Sequence, residues 1–293
     1  MSFLQSYTGK VVAVLVAIAI LIAGVGIYWR EHHSVQAPPP LPIVEVKPEA
    51  KQKVIGTSVE GRTITSYTYG EGPTHLAFVG GMHGGYEWNS VLLAYQFMDY
   101  LAANPSAVPK NLTITVIPSA NPDGVFSIVK KEGRFTLADI PEGDVSQGRF
   151  NVHEVDLNRN FDCKWKKDGT WRGKQVSAGT AAFSEPESQA IRKFVLEDTP
   201  DAVVFWHSQA NAVYASECKN GILPKTLDIM NAYAQAAKYP AVKSFDAYEV
   251  TGDAEGWLAS INIPAITVEL QTHETVEWDR NLAGIQALFA YYK

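Results

Sequence analysis

Cysteine is scarce in this sequence. Cys163 and Cys218 are the only two in 293 residues, and neither has a second cysteine at the Cys-x-x-Cys spacing that structural zinc sites use. A cysteine-bound structural metal is therefore not expected. An even number of cysteines allows one disulfide in an oxidising compartment, and two free buried thiols are the alternative.

An excess of basic charge is also lacking. The chain has 25 Lys and Arg against 31 Asp and Glu, a net charge of −6, and its pI is near 5.7. Proteins that bind nucleic acid use basic surfaces to neutralise phosphates, so the composition argues against a nucleic acid partner. No internal repeat period is visible.

One long stretch lacks charge altogether. Residues 11–29 are nineteen uncharged residues between Lys10 and Arg30, long enough to cross a hydrocarbon core of about 30 Å as a helix. The stretch exceeds a usual signal-peptide core and shows no Ala-x-Ala exit, so we expect an uncleaved membrane anchor. A buried core helix is the alternative, and the absence of a polar face argues against it. The flanking charges are nearly balanced, so the expected orientation, with the following domain extracytoplasmic, rests on the short N-terminal tail.

Proline separates the anchor from the rest of the chain. Residues 30–52 contain several prolines and have the semi-extended composition of a linker, too short to hold a pro-domain. The predicted organisation is a tail (1–10), a single transmembrane helix (11–29), a Pro-rich linker (30–52) and a globular domain (53–293). A domain of about 240 residues can bury one substantial core.

Hydrophobic patterning in that domain predicts strands that alternate with helices. A hairpin is predicted around Glu60-Gly61, with further strands over 74–79, 111–118, 201–206 and 265–270. Helices are predicted over 88–103, 184–197, 225–238 and 254–261, and from 278 onward. Residues 125–155 have poor periodicity and predict a long surface excursion. The expected fold is α/β, a three-layer sandwich whose mixed, largely parallel central sheet is covered by helices.

Polar residues lie at the ends of three predicted strands. His83 shares a glycine-rich loop with Glu87, His207 ends a strand, and Glu269 lies inside the last strand. Ligands bind at the carboxyl ends of strands in open α/β sheets. Two His and one Glu are a usual ligand set for catalytic Zn²⁺, and a buried carboxylate suits a general base. For each residue alone, a structural or loop role is the alternative.

Seven sequence blocks make the chain resemble the zinc carboxypeptidase family, the carboxypeptidase A/B-like metallopeptidases, in a membrane-anchored bacterial form. They occur in the family's order and span about 190 residues of the domain. The blocks are 80–88, 121–124, 156–161, 183–187, 206–208, 248–257 and 267–270. The resemblance implies one Zn²⁺ per chain, with His83, Glu87 and His207 as its ligands. Glu269 would be the base that takes a proton from the attacking water and later delivers it to the leaving amine.

The resemblance also assigns substrate-binding roles. Asn158 and Arg159 would hold the terminal carboxylate of a peptide, for which the Arg fork is suited. Arg149 would stabilise the oxyanion, with Arg134 as a less well placed rival. Tyr248 would close over the substrate and donate a hydrogen bond to its carboxylate.

One spacing departs from the family's pattern. The family usually separates its first two ligands by two residues, whereas three separate His83 from Glu87. Trp88 next to Glu87 supports the assignment, and the two intervening glycines could absorb the additional residue in a tight loop. Three nearby residues match no catalytic position and are read as structural or surface residues: His153, His273 and Glu274.

Specificity rests on one further position. An ungapped match of 248–257 puts Glu255 where the family has its pocket-floor residue, which implies a preference for basic C-terminal residues such as lysine, arginine or diaminopimelate. The alternative is an exposed helix residue. Cys163 follows the carboxylate-binding block and Cys218 lies eleven residues after His207, so both are expected near the cleft and bonded to each other.

The leading hypothesis is a membrane-anchored, extracytoplasmic zinc carboxypeptidase that acts on peptides, and we expect a monomer. A cell-wall peptidase that cuts murein stem peptides is the main alternative. A deacylase-type amidohydrolase shares the Asp-x-Asn-Arg block but fits the 121–124 and 248–257 blocks less well. A non-catalytic binding module is the remaining alternative, and it would be expected to lack a ligand or the base.

Overall fold

The structure, a computed structural model, describes residues 2–32 and 50–293 and divides the chain into two units. In the first, a single helix, α1, covers Ser2–His32. Its segment Val12–Trp29 has a mean hydropathy of 2.6 and is not buried by protein. The predicted membrane helix is therefore helical and apolar enough to span a bilayer, a property that a signal sequence shares. Most of the predicted Pro-rich linker (30–52) lies outside the described residues.

The second unit alternates strands and helices. In chain order they are β1 (Lys51–Thr57), β2 (Thr63–Gly70), β3 (Thr74–Val79), α2 (Trp88–Ala103), β4 (Leu112–Ile117), α3 (Pro122–Val129), β5 (Asp168–Trp171), β6 (Lys174–Ser177), α4 (Pro186–Asp198), β7 (Ala202–Ser208), β8 (Ala212–Ala215), β9 (Glu217–Cys218), β10 (Gly221–Ile222), α5 (Pro224–Ala237), β11 (Ala241–Val242), α6 (Ala254–Ser260), β12 (Ala265–Leu270) and α7 (Trp278–Tyr291).

Eight of these strands form one mixed sheet in the order β1-β2-β4-β3-β7-β12-β8-β11. The central strands β4, β3, β7 and β12 are mutually parallel. At one edge the β1–β2 hairpin runs antiparallel, and β8 runs antiparallel to β12 on the other side. The predicted α/β sandwich with a mixed, largely parallel sheet is confirmed.

The alternation of side chains along the central strands separates two hydrophobic cores. Phe78 of β3 and Trp206 of β7 face one core, which is completed by residues of α2, α5 and α7. Val79 and Phe205, the next residues on the opposite face, belong to the second core with α4 and α6. Since successive strand residues point to opposite faces, each central strand is buried on both sides, which explains its continuous apolar sequence.

The prediction of a surface excursion over residues 125–155 was wrong in part. The first residues of this segment belong to α3 (Pro122–Val129), which forms because Oδ1 of Asn121 accepts a hydrogen bond from the Gly124 amide (2.8 Å) and Pro122 occupies the first helical position. An Asn cap followed by Pro is a helix-start pattern. Later in the segment, Arg149 and Asn151 are buried, so this part of the chain contributes to the interior.

The two cysteines form a disulfide, as predicted. Cys163 and Cys218 are 55 residues apart in sequence and lie 6.0 Å apart between Cα atoms. Both are buried in the second core. The bond joins the segment after the Asp156 block to the short strand β9, and it lies close to the cavity described below.

Reduction of this disulfide should destabilise the domain by about 2–4 kcal/mol, because it releases the constraint on a long loop of the unfolded chain. The measurement is the urea midpoint with and without dithiothreitol, with the C163S/C218S double variant as a control insensitive to reductant. Two titratable thiols in the unreduced protein, or an unchanged midpoint, would contradict this prediction.

Candidate metal centre

Strand order brings the predicted ligand positions to one end of the sheet. His83 follows β3, and His207 lies near the end of β7, its parallel neighbour. Glu269 of β12 is the direct register partner of His207. Val203 and Phe205 of β7 face the second core. His207 follows at the same two-residue spacing, so its side chain projects on the same side of the sheet.

The loop between β3 and α2 resolves the unusual spacing. Residues Gly84–Glu87 form one 3-10 turn, which returns Glu87 to the side of His83. Gly84 has φ +46°, and a Cβ there would lie 2.5 Å from the carbonyl oxygen of Gly148. Only glycine meets both demands, so the additional residue is absorbed in the way that the sequence suggested.

Three side chains converge at this point. The Nδ1 atom of His83 is 2.8 Å from Oε1 of Glu87, and Nδ1 of His207 is 3.0 Å from Oε2 of Glu87. The two Nδ1 atoms are 3.1 Å apart. Tetrahedral ligands about 2.0 Å from a metal lie roughly 3.3 Å from one another, so the group has the dimensions of a metal site. Within residues 2–32 and 50–293, this is the one cluster of potential ligands close enough to hold an ion.

Each histidine has a second carboxylate behind it. The Nε2 atom of His83 is 3.3 Å from Oδ1 of Asp156, and Nε2 of His207 is 3.3 Å from Oε1 of Glu255. A proton held on Nε2 by such a carboxylate leaves the Nδ1 lone pair available to a metal. Asp156 is the first residue of the 156–161 block, and its position in the sequence does not indicate this role behind His83.

The electrostatics of the centre favour a cation among the three groups. Burial opposes ionisation of Glu87, but the imidazoles of His83 and His207 outweigh it and hold the pKa of that carboxyl well below its usual range. Burial likewise opposes protonation of His207, yet Glu87 and Glu255 raise its pKa well above the usual range. Positive charge at this place is therefore stabilised, and a bound metal would compete with protons for it.

Glu269 lies beside the centre and opens onto the cavity. Its Oε2 accepts a long hydrogen bond (3.3 Å) from the amide of Ala210. Burial, and next the negative charge of Glu87, raise the pKa of Glu269 to about 7. A carboxyl that titrates near neutrality can both accept and release a proton, which is what a general acid–base group requires.

A cavity of about 430 Å³ adjoins the centre, and all the predicted catalytic and substrate-binding residues line it, as does Cys163. Arg149 donates from Nε and Nη2 to Oδ2 of Asp156 (3.0 and 2.8 Å), and its Nη1 is 3.7 Å from Oε1 of Glu87. Its guanidinium also lies over the ring of Trp171. A fixed positive charge thus lies next to the Glu87 carboxylate.

Asn158 and Arg159 lie deeper in the wall. Asn158 accepts from the amide of Ala254 (2.9 Å). Arg159 donates from Nη1 to the carbonyl of Asn158 (2.6 Å) and from Nη2 to the carbonyl of Thr170 (3.0 Å), while its Nε is buried without a partner. This guanidinium therefore keeps unused donors, and no carboxylate of the described residues forms an ion pair with it.

Two further predicted residues occupy the walls. Tyr248 is half-buried and packs its ring against Phe245. Glu255 lies in the first turn of α6, buried rather than exposed, and accepts from the hydroxyl of Thr267 (3.1 Å). Its proximity to His207 is a contact that the sequence did not indicate.

The cavity is not lined by four residues that the sequence does not assign to the site: Arg134, His153, His273 and Glu274. Arg134 is exposed and pairs with Asp99, so it is no rival for Arg149. His153 pairs with Glu185 at the surface, and Glu274 is exposed. His273 packs on Tyr86 and hydrogen-bonds the hydroxyl of Ser208 (2.6 Å) without lining the cavity.

Comparison with known proteins agrees with this geometry. The sequence signature of the zinc carboxypeptidase family matches residues 43–279. The chain belongs to the zinc carboxypeptidase family. The carboxypeptidase A of Helicoverpa armigera has the same fold, with a TM-score of 0.65 at 20% identity, over 83% of this chain and 69% of that one.

Two curated bacterial proteins are among the relatives of this chain. The γ-D-glutamyl-L-diamino acid endopeptidase 1 of Lysinibacillus sphaericus is 22% identical over 74% of the chain and 59% of its own length. The murein peptide amidase A of Escherichia coli K12 is 31% identical over 44% of the chain and 54% of its own length. The chain thus spans somewhat more than half the length of these relatives.

The convergence of His83, Glu87 and His207 predicts a graded effect of mutations on metal affinity. Wild-type protein should bind one Zn²⁺, H207A should lose it, and D156N and E255Q should weaken it by about 10–100-fold, because each removes the carboxylate that orients a histidine. Chelator competition measures the affinities.

Asp253 supplies the control for that experiment. It lines the same cavity and caps α6 through its contact with the Gly256 amide, but it makes no contact with the three converging side chains. D253N removes a charge near the site and should retain the wild-type affinity. Equal affinities for E255Q and D253N would refute a role of Glu255 behind His207.

Proposed function

We propose that the chain is a zinc-dependent metallocarboxypeptidase that hydrolyses the C-terminal residue of peptides. One observation carries the proposal: His83, Glu87 and His207 converge at metal-ligand distances, with Glu269 beside them, at the wall of a cavity. Family membership supports zinc as the metal.

Each part of the cavity then has a chemical task. Zn²⁺ held by the three side chains supplies Lewis acidity, which polarises a carbonyl and makes water more acidic. The Glu269 carboxylate accepts the proton of the attacking water and returns it to the leaving amine. Arg149, fixed by Asp156, provides positive charge where the carbonyl oxygen becomes negative.

Recognition of a free C-terminus follows from the unused donors of Arg159. A peptide carboxylate that accepts from this guanidinium would satisfy a buried group that has no acidic partner among the described residues. Asn158 lies beside it in the wall. Tyr248, in the loop before α6, lines the same cavity, which supports its assignment as a donor to the same carboxylate. These assignments make the terminal carboxylate the feature that selects the scissile bond.

The preference for a basic C-terminal residue remains a prediction. It rests on Glu255, and Asp253 is a second acidic residue of the same wall. The contact of Glu255 with His207 weakens the case for this preference, since the Glu255 carboxylate already has a partner.

A murein stem-peptide peptidase is the second candidate. The names of two relatives, a murein peptide amidase and a γ-D-glutamyl-L-diamino acid endopeptidase, favour it. A diaminopimelate side chain also carries an ammonium group that the acidic wall could accept. The chemistry at the centre is the same for both candidates, and only the substrate differs.

Location outside the cytoplasm fits both substrates. The helix Val12–Trp29 could anchor the protein in the cell membrane, and the disulfide is typical of an oxidising compartment. We propose a single-pass protein with an extracytoplasmic catalytic domain. Protease accessibility in intact spheroplasts measures the orientation, and complete protection of the domain would refute it.

Peptides with a free C-terminus should be cleaved and their C-terminal amides should not, because the amide removes the charge that Arg159 recognises. The measurement is kcat/KM for matched free and amidated peptides ending in Lys or Phe, and for a murein stem peptide ending in diaminopimelate. Faster cleavage of the stem peptide would select the murein candidate. Equal rates on free and amidated substrates would refute carboxypeptidase activity.

Replacement of the base should reduce turnover while the metal stays bound. E269Q should lower kcat by about 10²–10⁴-fold. The base acts when deprotonated, so wild-type kcat/KM should fall as pH drops through the pKa of Glu269. That value is about 7 before a metal binds, and a nearby dication lowers it, which puts the acid limb at or below neutrality. Persistence of the limb in E269Q would assign it to another group.

A further inference from the structure

The hairpin formed by β5 and β6 ends in an unusual turn. Trp171 pairs with Lys174, so the loop between the strands has only two residues, Arg172 and Gly173. Both have positive φ, +50° and +74°, as in a type I′ turn. Asn is strongly favoured at the first of these positions, whereas arginine is strained in the left-handed region by about 1 kcal/mol. The turn itself gives no reason for an arginine.

The tip of this hairpin lies against the metal-ligand loop. Trp171 packs edge-on to Tyr86 (5.2 Å between centroids) and under the Arg149 guanidinium (4.6 Å). Arg172 approaches the hydroxyl of Tyr86 with Nη1 at 3.4 Å. Tyr86 belongs to the same 3-10 turn as Glu87. The hairpin tip is thus held beside the proposed centre through aromatic contacts.

Arg172 presents an uncompensated charge at the cavity. It lines the cavity but is exposed to solvent, as is Lys164. Neither forms an ion pair with an acidic residue in the part of the chain that the structure describes. Glu249, an acidic residue that also lines the cavity, forms its ion pair with Lys166 and with neither of these two side chains. Two positive side chains therefore remain at the exposed rim, separate from the buried Arg159.

The position of this rim indicates which part of a substrate it meets. A C-terminal residue whose carboxylate reaches the buried Arg159 fills the interior, so the chain before the scissile bond must leave through the exposed rim. We propose that Arg172, with Lys164 as a second exposed cation of the same cavity, binds a second carboxylate on the acyl side of the bond. The substrate class is peptides with an acidic residue immediately before the scissile bond.

This inference rests on the proposed function and names the substrate of that same site. Its test uses two peptides that differ only in Glu or Gln before the scissile bond. Wild type should prefer Glu by about three- to fivefold in kcat/KM at low salt, as expected for an exposed ion pair. The preference should shrink as salt screens the charges.

Two variants distinguish a direct contact of Arg172 with the substrate from a general effect of positive charge on the hairpin. R172N replaces the arginine with the residue that the turn favours, so the hairpin is retained, and the Glu:Gln ratio should fall to about one. K174Q removes an equal charge from the same hairpin at a residue that does not line the cavity, and it should keep the wild-type ratio. Equal loss of the ratio in both variants, or an equal rate loss on both peptides in R172N, would overturn the proposal.

A binding measurement separates failure of this inference from failure of the proposed function. Calorimetry with E269Q, in which turnover is suppressed, gives the affinity for the Glu and Gln peptides directly. If wild type cleaves neither peptide, the proposed function fails, and the calorimetric ratio still decides the role of Arg172. Equal affinities of E269Q for the Glu and Gln peptides would overturn the inference alone.

Discussion

A carboxylate buried between two imidazoles sets the requirements that the rest of the site meets. Glu87 has almost no contact with solvent, and a buried charge without compensation is unfavourable by several kcal/mol. Compensation comes from positive charge, either on the histidines or on a cation that the three groups share. Asp156 and Glu255 reinforce this demand from behind each ring, which explains why so many acidic groups tolerate burial in one small volume.

The sheet makes this convergence possible. Parallel neighbours β3, β7 and β12 end at the same edge, and the register of β12 on β7 places Glu269 next to His207. Because the strands are buried on both faces, their ends are rigid, and the side chains that follow them are held by packing. The third side chain of the cluster, Glu87, comes from a loop in which Gly84 permits a turn that no other residue could form.

Much of the fold and of the candidate site was predictable, because the sequence patterns that indicate them are local. His207 and Glu269 follow or interrupt apolar strands, and the order of motifs identified the family. The outer carboxylates were not predictable, since Asp156 and Glu255 reach their histidines only through tertiary packing. Helix α3 was missed because Asn121-Pro122 serves both turns and helix starts. Strands such as β8, with four residues, carry too little periodicity to be recognised.

The spacing of His83 and Glu87 remains the feature on which the functional account depends most. X-ray absorption at the zinc edge of the metal-loaded protein tests it most directly. We expect two imidazole nitrogens at about 2.0–2.1 Å and carboxylate oxygen at about 2.0–2.2 Å from the metal, with one imidazole lost in H83A and the carboxylate contribution lost in E87A. A spectrum unchanged in E87A would contradict the proposed centre.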